Sequence, residues 1–237
     1  MGVACHSRLS QLSAELGLLC ELSTTAMASA TQALMGRHLA LAEQVITDDS
    51  DIDDVHARFE RTACEVLGHY APIAGELRAL IGMIRIGERL QRMGDLARHI
   101  AETARRRHPV SAVPSALEAC FAEMGELGVA IGQQVGDAIA HPGTAQVESL
   151  ELLDDRIDQL EASVLTWVST EQDDVRAGVD VALLARFFER YADQGVSAAR
   201  LLRCIAARDT GSDRDQHTRW PTVIAASSLD TPHAAGR

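Results

Sequence analysis

Gln91-Arg92-Met93-Gly94-Asp95 and Glu189-Arg190-Tyr191-Ala192-Asp193 are two versions of one pattern set 98 residues apart. Each places an arginine beside its first residue and an aspartate four residues after it, a spacing that puts first and last on one face of a helix. Working outward in the same register, Leu77-Arg78 falls near Val175-Arg176. Further towards the N-terminus the shift becomes 105, with Ile52-Asp53 over Ile157-Asp158, and one seven-residue difference between the second and third helices of each unit joins the two registers. The chain reads as an internal repeat.

The composition agrees with helices. Aromatic residues make up 3% of the 237, and Ala, Leu, Arg and Glu stand where strands would need alternating Val, Ile, Tyr, Phe and Trp. The six prolines, Pro72, Pro109, Pro114, Pro142, Pro221 and Pro232, leave long stretches with apolar residues at helical spacing. Six helices are expected: 7–46, 52–70, 75–107, 115–140, 145–169 and 173–208, with Asp48-Asp49-Ser50-Asp51 supplying turn and cap chemistry between the first two. Arg105, Arg106 and Arg107 suit the negative C-terminal end of the third. Pro109 and Pro114 make 108–114 the linker. The expected fold is all-α, two tandem, pseudo-symmetric three-helix bundles over 7–108 and 115–208, followed by a disordered tail over 212–237.

Charge and motifs narrow the function. Twenty-two basic against 34 acidic side chains give −12, which repels a phosphate backbone and argues against nucleic-acid binding. No apolar run approaches the roughly 18 residues of a membrane span, which argues against membrane insertion, and no signal-peptide core is visible. Five scattered cysteines without a Cys-x-x-Cys pair fit a reducing cytosol. His-Glu-x-x-His, Gly-x-Ser-x-Gly, a lysine-bearing phosphate loop and the Glu-x-x-His of di-metal oxidases are all absent, so no enzyme activity is expected.

The informative stripe is Glu88, Gln91, Asp95, His99 and Glu102, at spacings of three and four on the third helix. Carboxylates with an imidazole suit a hard or borderline cation, although a solvated polar face has the same pattern. In the second copy Glu189 and Asp193 are one turn apart, and like charges there call for a metal or a basic partner. Asp53 and Asp158 are read as first-turn acids complementing helix N-termini, ahead of the alternative that they reach across to the stripe. Arg78, Arg92, Arg176 and Arg190 are read as pairing with neighbouring carboxylates, with anion binding as the alternative.

Tandem three-helix units, Ala71-Pro72-Ile73-Ala74-Gly75-Glu76-Leu77-Arg78 at the start of the third helix, Arg92-Met93-Gly94-Asp95 with Ile100-Ala101-Glu102, and Phe188-Glu189-Arg190-Tyr191-Ala192-Asp193 resemble the PhoU family over residues 7–208. The resemblance implies a non-enzymatic, cytoplasmic regulator of the high-affinity phosphate transport system. Such a regulator contacts the transporter's ATPase subunit and a sensor histidine kinase, restrains phosphate uptake and the starvation response, and forms homodimers. It also implies Glu/Asp-x-x-x-Asp motifs that in some members bind iron, zinc, manganese or magnesium, though no cofactor is required. Carried over, the motif residues are Glu189 and Asp193 in the second repeat, and Gln91 and Asp95 in the first, where the neutral amide is a weaker ligand and His99 is the candidate substitute. Gln194 and Ser197 replace the family's histidine and asparagine. The alternative is a metal-binding helical protein, a metal store or a di-metal oxidase. The residues that meet partners are not legible.

Overall fold

Leu9, Leu12, Leu16, Leu19, Met27, Ala30 and Leu34 recur at helical intervals and bury one stripe of the first helix, α1 (Gly2–Gly36). The structure, a computed structural model, describes residues 2–70, 72, 74–141, 146–171 and 174–209. After α1 come α2 (Leu39–Tyr70) and α3 (Ala74–Arg107), then a 3-10 turn at Ser115–Leu117 that leads into α4 (Glu118–Ala140), α5 (Val147–Glu171) and α6 (Val175–Asp209). The all-α reading holds: among the described residues there is no strand, and no helix is long and apolar enough to cross a membrane. The expected tail, 212–237, lies outside the described residues.

One boundary differs from expectation. The chain turns at Arg37, eleven residues before the acidic Asp48 to Asp51 cluster assigned to the turn. Arg37 takes a left-handed backbone, φ 55°, and the His38 amide donates to the Ala33 carbonyl at 3.0 Å, the six-to-one bond that closes a helix C-terminus. The turn was hidden because glycine usually takes the left-handed position, whereas here Gly36 sits one residue early. Asp48 to Asp51 therefore lie inside α2, whose ladder runs through them unbroken. Asp53 and Asp158 sit mid-helix in α2 and α5, so the N-terminal capping reading fails for both.

Helices α1, α2 and α3 pack on one another as one bundle and α4, α5 and α6 as the other, and the bundles join side by side through α1 against α4 and α3 against α6. Both pairings are antiparallel. Along α1 and α4, Thr24 faces Gly132, Met27 faces Gly128 and Thr31 faces Gly125; along α3 and α6, Gly82 faces Ile205, Arg89 bonds Gln194 at 2.9 Å and His99 faces Phe187. Equivalent helices crossing antiparallel is what a pseudo-twofold axis through the joint requires, with α2 and α5 left outermost.

The close approach of α1 and α4 depends on missing side chains. A Cβ at Gly132 would overlap the Thr24 hydroxyl, and one at Gly125 the Thr31 side chain. Buried Tyr191 reaches across with its hydroxyl donating to the Ser23 carbonyl at 3.4 Å, and Ser23 itself donates to the Leu90 carbonyl at 2.8 Å. Phe121 of α4 meets Phe188 of α6 with ring centroids 6.0 Å apart and planes tilted 56°. Each such ring contributes about 2 kcal/mol by burial. One continuous core results, fed by all six helices. At one end of the joint Arg106 and Arg107 cross to the buried Asp180 of α6 at 3.0 and 2.6 Å, beyond the dipole role read for the arginine run.

Candidate functional site

Each outer helix faces the third helix of its own bundle across a row of acids. In the first bundle the α3 positions 91, 95, 98 and 102 turn toward α2, because steps of four, three and four keep residues on one helical stripe. The Gln91 amide donates to Asp53 and to Asp95, both at 3.1 Å. Arg98 sits among three carboxylates: Asp49 at 2.7 Å, Asp95 at 3.2 Å and Glu102 at 2.7 Å. Burial works against the Arg98 charge, but its bonds to Asp95 and Glu102 and the charge on Asp49 outweigh that and raise its pKa. Burial likewise pushes Asp49 up against the opposing pull of Arg98.

His99 lies on the flank of the same stripe that faces α6. Its ring centroid is 5.2 Å from that of Phe187, and its Nδ1 is buried with no hydrogen-bond partner among the described residues. Glu88 is exposed. Of the five stripe residues, the structure brings Gln91, Asp95 and Glu102 together with α2 acids and turns His99 toward the joint between the bundles.

In the second bundle Asp154, Asp158 and Glu161 of α5 face Glu189 and Asp193 of α6. Carboxylate oxygens of Asp158, Glu161 and Glu189 lie within 4.8 Å of one another. Arg186 approaches from an exposed position, 2.8 Å from Glu189 and 3.6 Å from Glu161. Among the described residues Asp154, Asp158 and Asp193 have no ion pair, and Asp154 Oδ1 is buried without a hydrogen-bond partner. Burial first, then the charges of Asp193, Glu161 and Asp158, push Glu189 up to about 7 despite Arg186. Burial, then Asp158, Asp193 and Asp155, push Asp154 up to about 6, and burial with Asp193 and Asp155 raises Asp158.

The two patches occupy equivalent places but differ in charge. The 105 register pairs Asp49 and Asp53 with Asp154 and Asp158, so each outer helix carries its own Asp-x-x-x-Asp; the 98 register puts Glu189 on Gln91 and Val196 on Arg98. Asp49, Asp154, Glu161 and Arg98 escaped the sequence reading, although the repeated Asp-x-x-x-Asp was a visible signal for the first two. The four arginines expected to pair, Arg78, Arg92, Arg176 and Arg190, are exposed and in no ion pair among the described residues; Arg98 and Arg186 take that work. Their helical phase explains it, since positions 92 and 190 point away from the outer helix.

An all-oxygen set of carboxylates is what Mg, Mn and Fe ions accept, and in the second bundle it is only partly neutralised. Among the described residues, neither patch combines a nucleophile, a base and an oxyanion donor.

Comparison with known proteins agrees with this architecture. The model of the PhoU domain matches residues 16–104. The phosphate-specific transport system accessory protein PhoU homolog 2 of Mycobacterium tuberculosis is 41% identical over 202 residues, spanning 84% of this chain and 95% of that protein. The PhoU homolog 1 of Mycobacterium leprae is 40% identical over 202 residues, spanning 84% and 91%. The crystal structure of PhoU from Pseudomonas aeruginosa superposes with a TM-score of 0.75 at 20% identity, covering 86% of this chain and 99% of that one. With relatives this similar along nearly their full length, and with the duplicated helical body they share, the chain belongs to the PhoU family.

Proposed function

We propose that the chain is a non-enzymatic, cytoplasmic accessory protein of a phosphate transport system that lowers phosphate uptake and keeps the phosphate-starvation response off when phosphate is plentiful. It acts through contacts with the transporter's ATPase subunit and with a sensor histidine kinase, and as a homodimer. The observation that carries this reading is the 41% identity over 95% of the mycobacterial phosphate-transport accessory protein. The chemistry supports it. A helical body with a net charge of −12 and acid rows on both outer flanks suits basic partner surfaces, with encounter rates that fall as salt rises. Exposed apolar pairs at equivalent places, Leu77 with Ile81 and Val175 with Val179, support self-association. Deleting the gene in its host tests the reading: phosphate-uptake genes should be expressed in phosphate-rich medium, and their continued repression would contradict it.

A second reading concerns the second bundle, where Asp158, Glu161 and Glu189, with Asp193 beside them, fit a divalent cation or iron. The unpartnered buried oxygen of Asp154 supports it, because a cation would relieve the mutual repulsion that raises Asp154 and Glu189. Bound there, the ion would supply charge neutralisation and tie α5 to α6. Manganese added to purified protein should raise its melting temperature by several degrees, and Glu189→Gln should abolish that rise; equal behaviour of the two proteins would remove the reading.

A further inference from the structure

The first bundle carries its own cation. We propose that the Arg98 guanidinium occupies the place that a metal ion would take in the first acid row, so that this chain binds one cation, in the second bundle alone, and that Arg98 sets this stoichiometry. The part concerning the second bundle rests on the cation reading given above; the part concerning Arg98 stands apart from it.

Arg98 lies within 3.2 Å of Asp49, Asp95 and Glu102, which span both helices, so a single planar cation makes the cross-helix link that a metal would make. The remaining acid, Asp53, is bonded by the Gln91 amide, which also holds Asp95. Every carboxylate of the row thus has a guanidinium or an amide against it. The second row has no counterpart to this arrangement. Glu189 replaces Gln91 and adds a charge, buried Val196 replaces Arg98, Arg200 replaces Glu102 and pairs with Glu151, and Arg186 pairs with Glu161 and Glu189 from the exposed side. The guanidinium of the first row thus has no equivalent at its own position in the second, where Asp154, Asp158 and Asp193 are in no ion pair among the described residues.

An ion entering the first row would meet a guanidinium in contact with three of its four acids, and like charges at that range exclude it. Removing the guanidinium leaves Asp49, Asp95 and Glu102 without the cation they share, and their oxygens are the kind of donor a divalent ion accepts.

Equilibrium dialysis of the full chain against manganese tests the inference, with circular dichroism confirming the fold. Arg98→Met keeps the apolar stem and removes the charge; Arg98→Lys keeps a cation in the row. The wild type should bind one manganese ion per chain, Arg98→Met two and Arg98→Lys one, and Arg98→Met combined with Glu189→Gln should retain one. Arg98→Gln, which keeps a donor, should also gain a site, and serves where the Met variant does not fold. Arg98→Met and Arg98→Gln binding no more than the wild type would overturn the inference, as would a wild type that binds two ions and keeps one in Glu189→Gln. A wild type that binds none, with Arg98→Met binding one, would remove the second-bundle reading and leave the role of Arg98 standing.

Discussion

Glu189 is an acid that the fold holds partly protonated near neutral pH. Its pKa rises from the ordinary 4.5 to about 7, and that of Asp154 from 3.8 to about 6, so between those values the folded chain holds protons that the unfolded chain has released. Stability from these two groups is therefore greatest at the acidic end and is lost as pH rises through about 6 to 7. Glu189→Gln should remove about half of this dependence and leave the part due to Asp154. Discounted for solvent screening, the melting temperature of the variant relative to the wild type should climb by on the order of 2 °C from pH 5 to pH 8. A flat difference would show that Glu189 is not strained by its neighbours. At this scale the sequence disclosed the motif ends, Asp95, Glu189 and Asp193, because spacing alone puts them on one face. It did not disclose Arg98, because residues 98 and 99 lie on opposite flanks of that face and only the position of α2 decides which one meets the acids.

The helices themselves were legible to within a few residues except where a local device overrode composition. Asp48 to Asp51 look like a turn, yet α2 carries them because Arg98 and Gln91 of the neighbouring helix use Asp49 and Asp53. The actual turn rests on Arg37, a side chain in a backbone region that costs an L-residue about 1 kcal/mol. Arg37→Gly should therefore stabilise the protein by roughly 0.5–1 kcal/mol in chemical denaturation, since Arg37 is exposed and in no ion pair among the described residues. A loss of stability would place the chain turn elsewhere. The purpose of the glycines of α4 is visible only with α1 lying against them. Gly132→Ala should cost about 1–3 kcal/mol, because Thr24 is held by its own bond to the Cys20 carbonyl at 2.7 Å and has to move. Gly17→Ala, with open space around the added methyl, should not destabilise the fold.

For the whole molecule, two registers of a weak repeat were enough to indicate tandem bundles, since a repeat demands equivalent helices whatever their packing. The antiparallel joint was not legible, because the residues that meet along α1 and α4 differ between the copies: Thr24 and Thr31 on one side, Gly132 and Gly125 on the other. That joint shares one core between the bundles, so thermal unfolding should be a single transition seen alike by circular dichroism and by tryptophan fluorescence. Two separated transitions would mean that the bundles are independent. The same rigid, acidic body is the physical basis for the proposed docking on transport and signalling proteins. The most direct test is to capture the tagged full-length chain from its host grown in high phosphate and probe the bound material for the ATPase subunit of the phosphate transporter. The account predicts that this subunit is retained and that it is released at raised salt; its absence from the captured material in low salt would contradict the account.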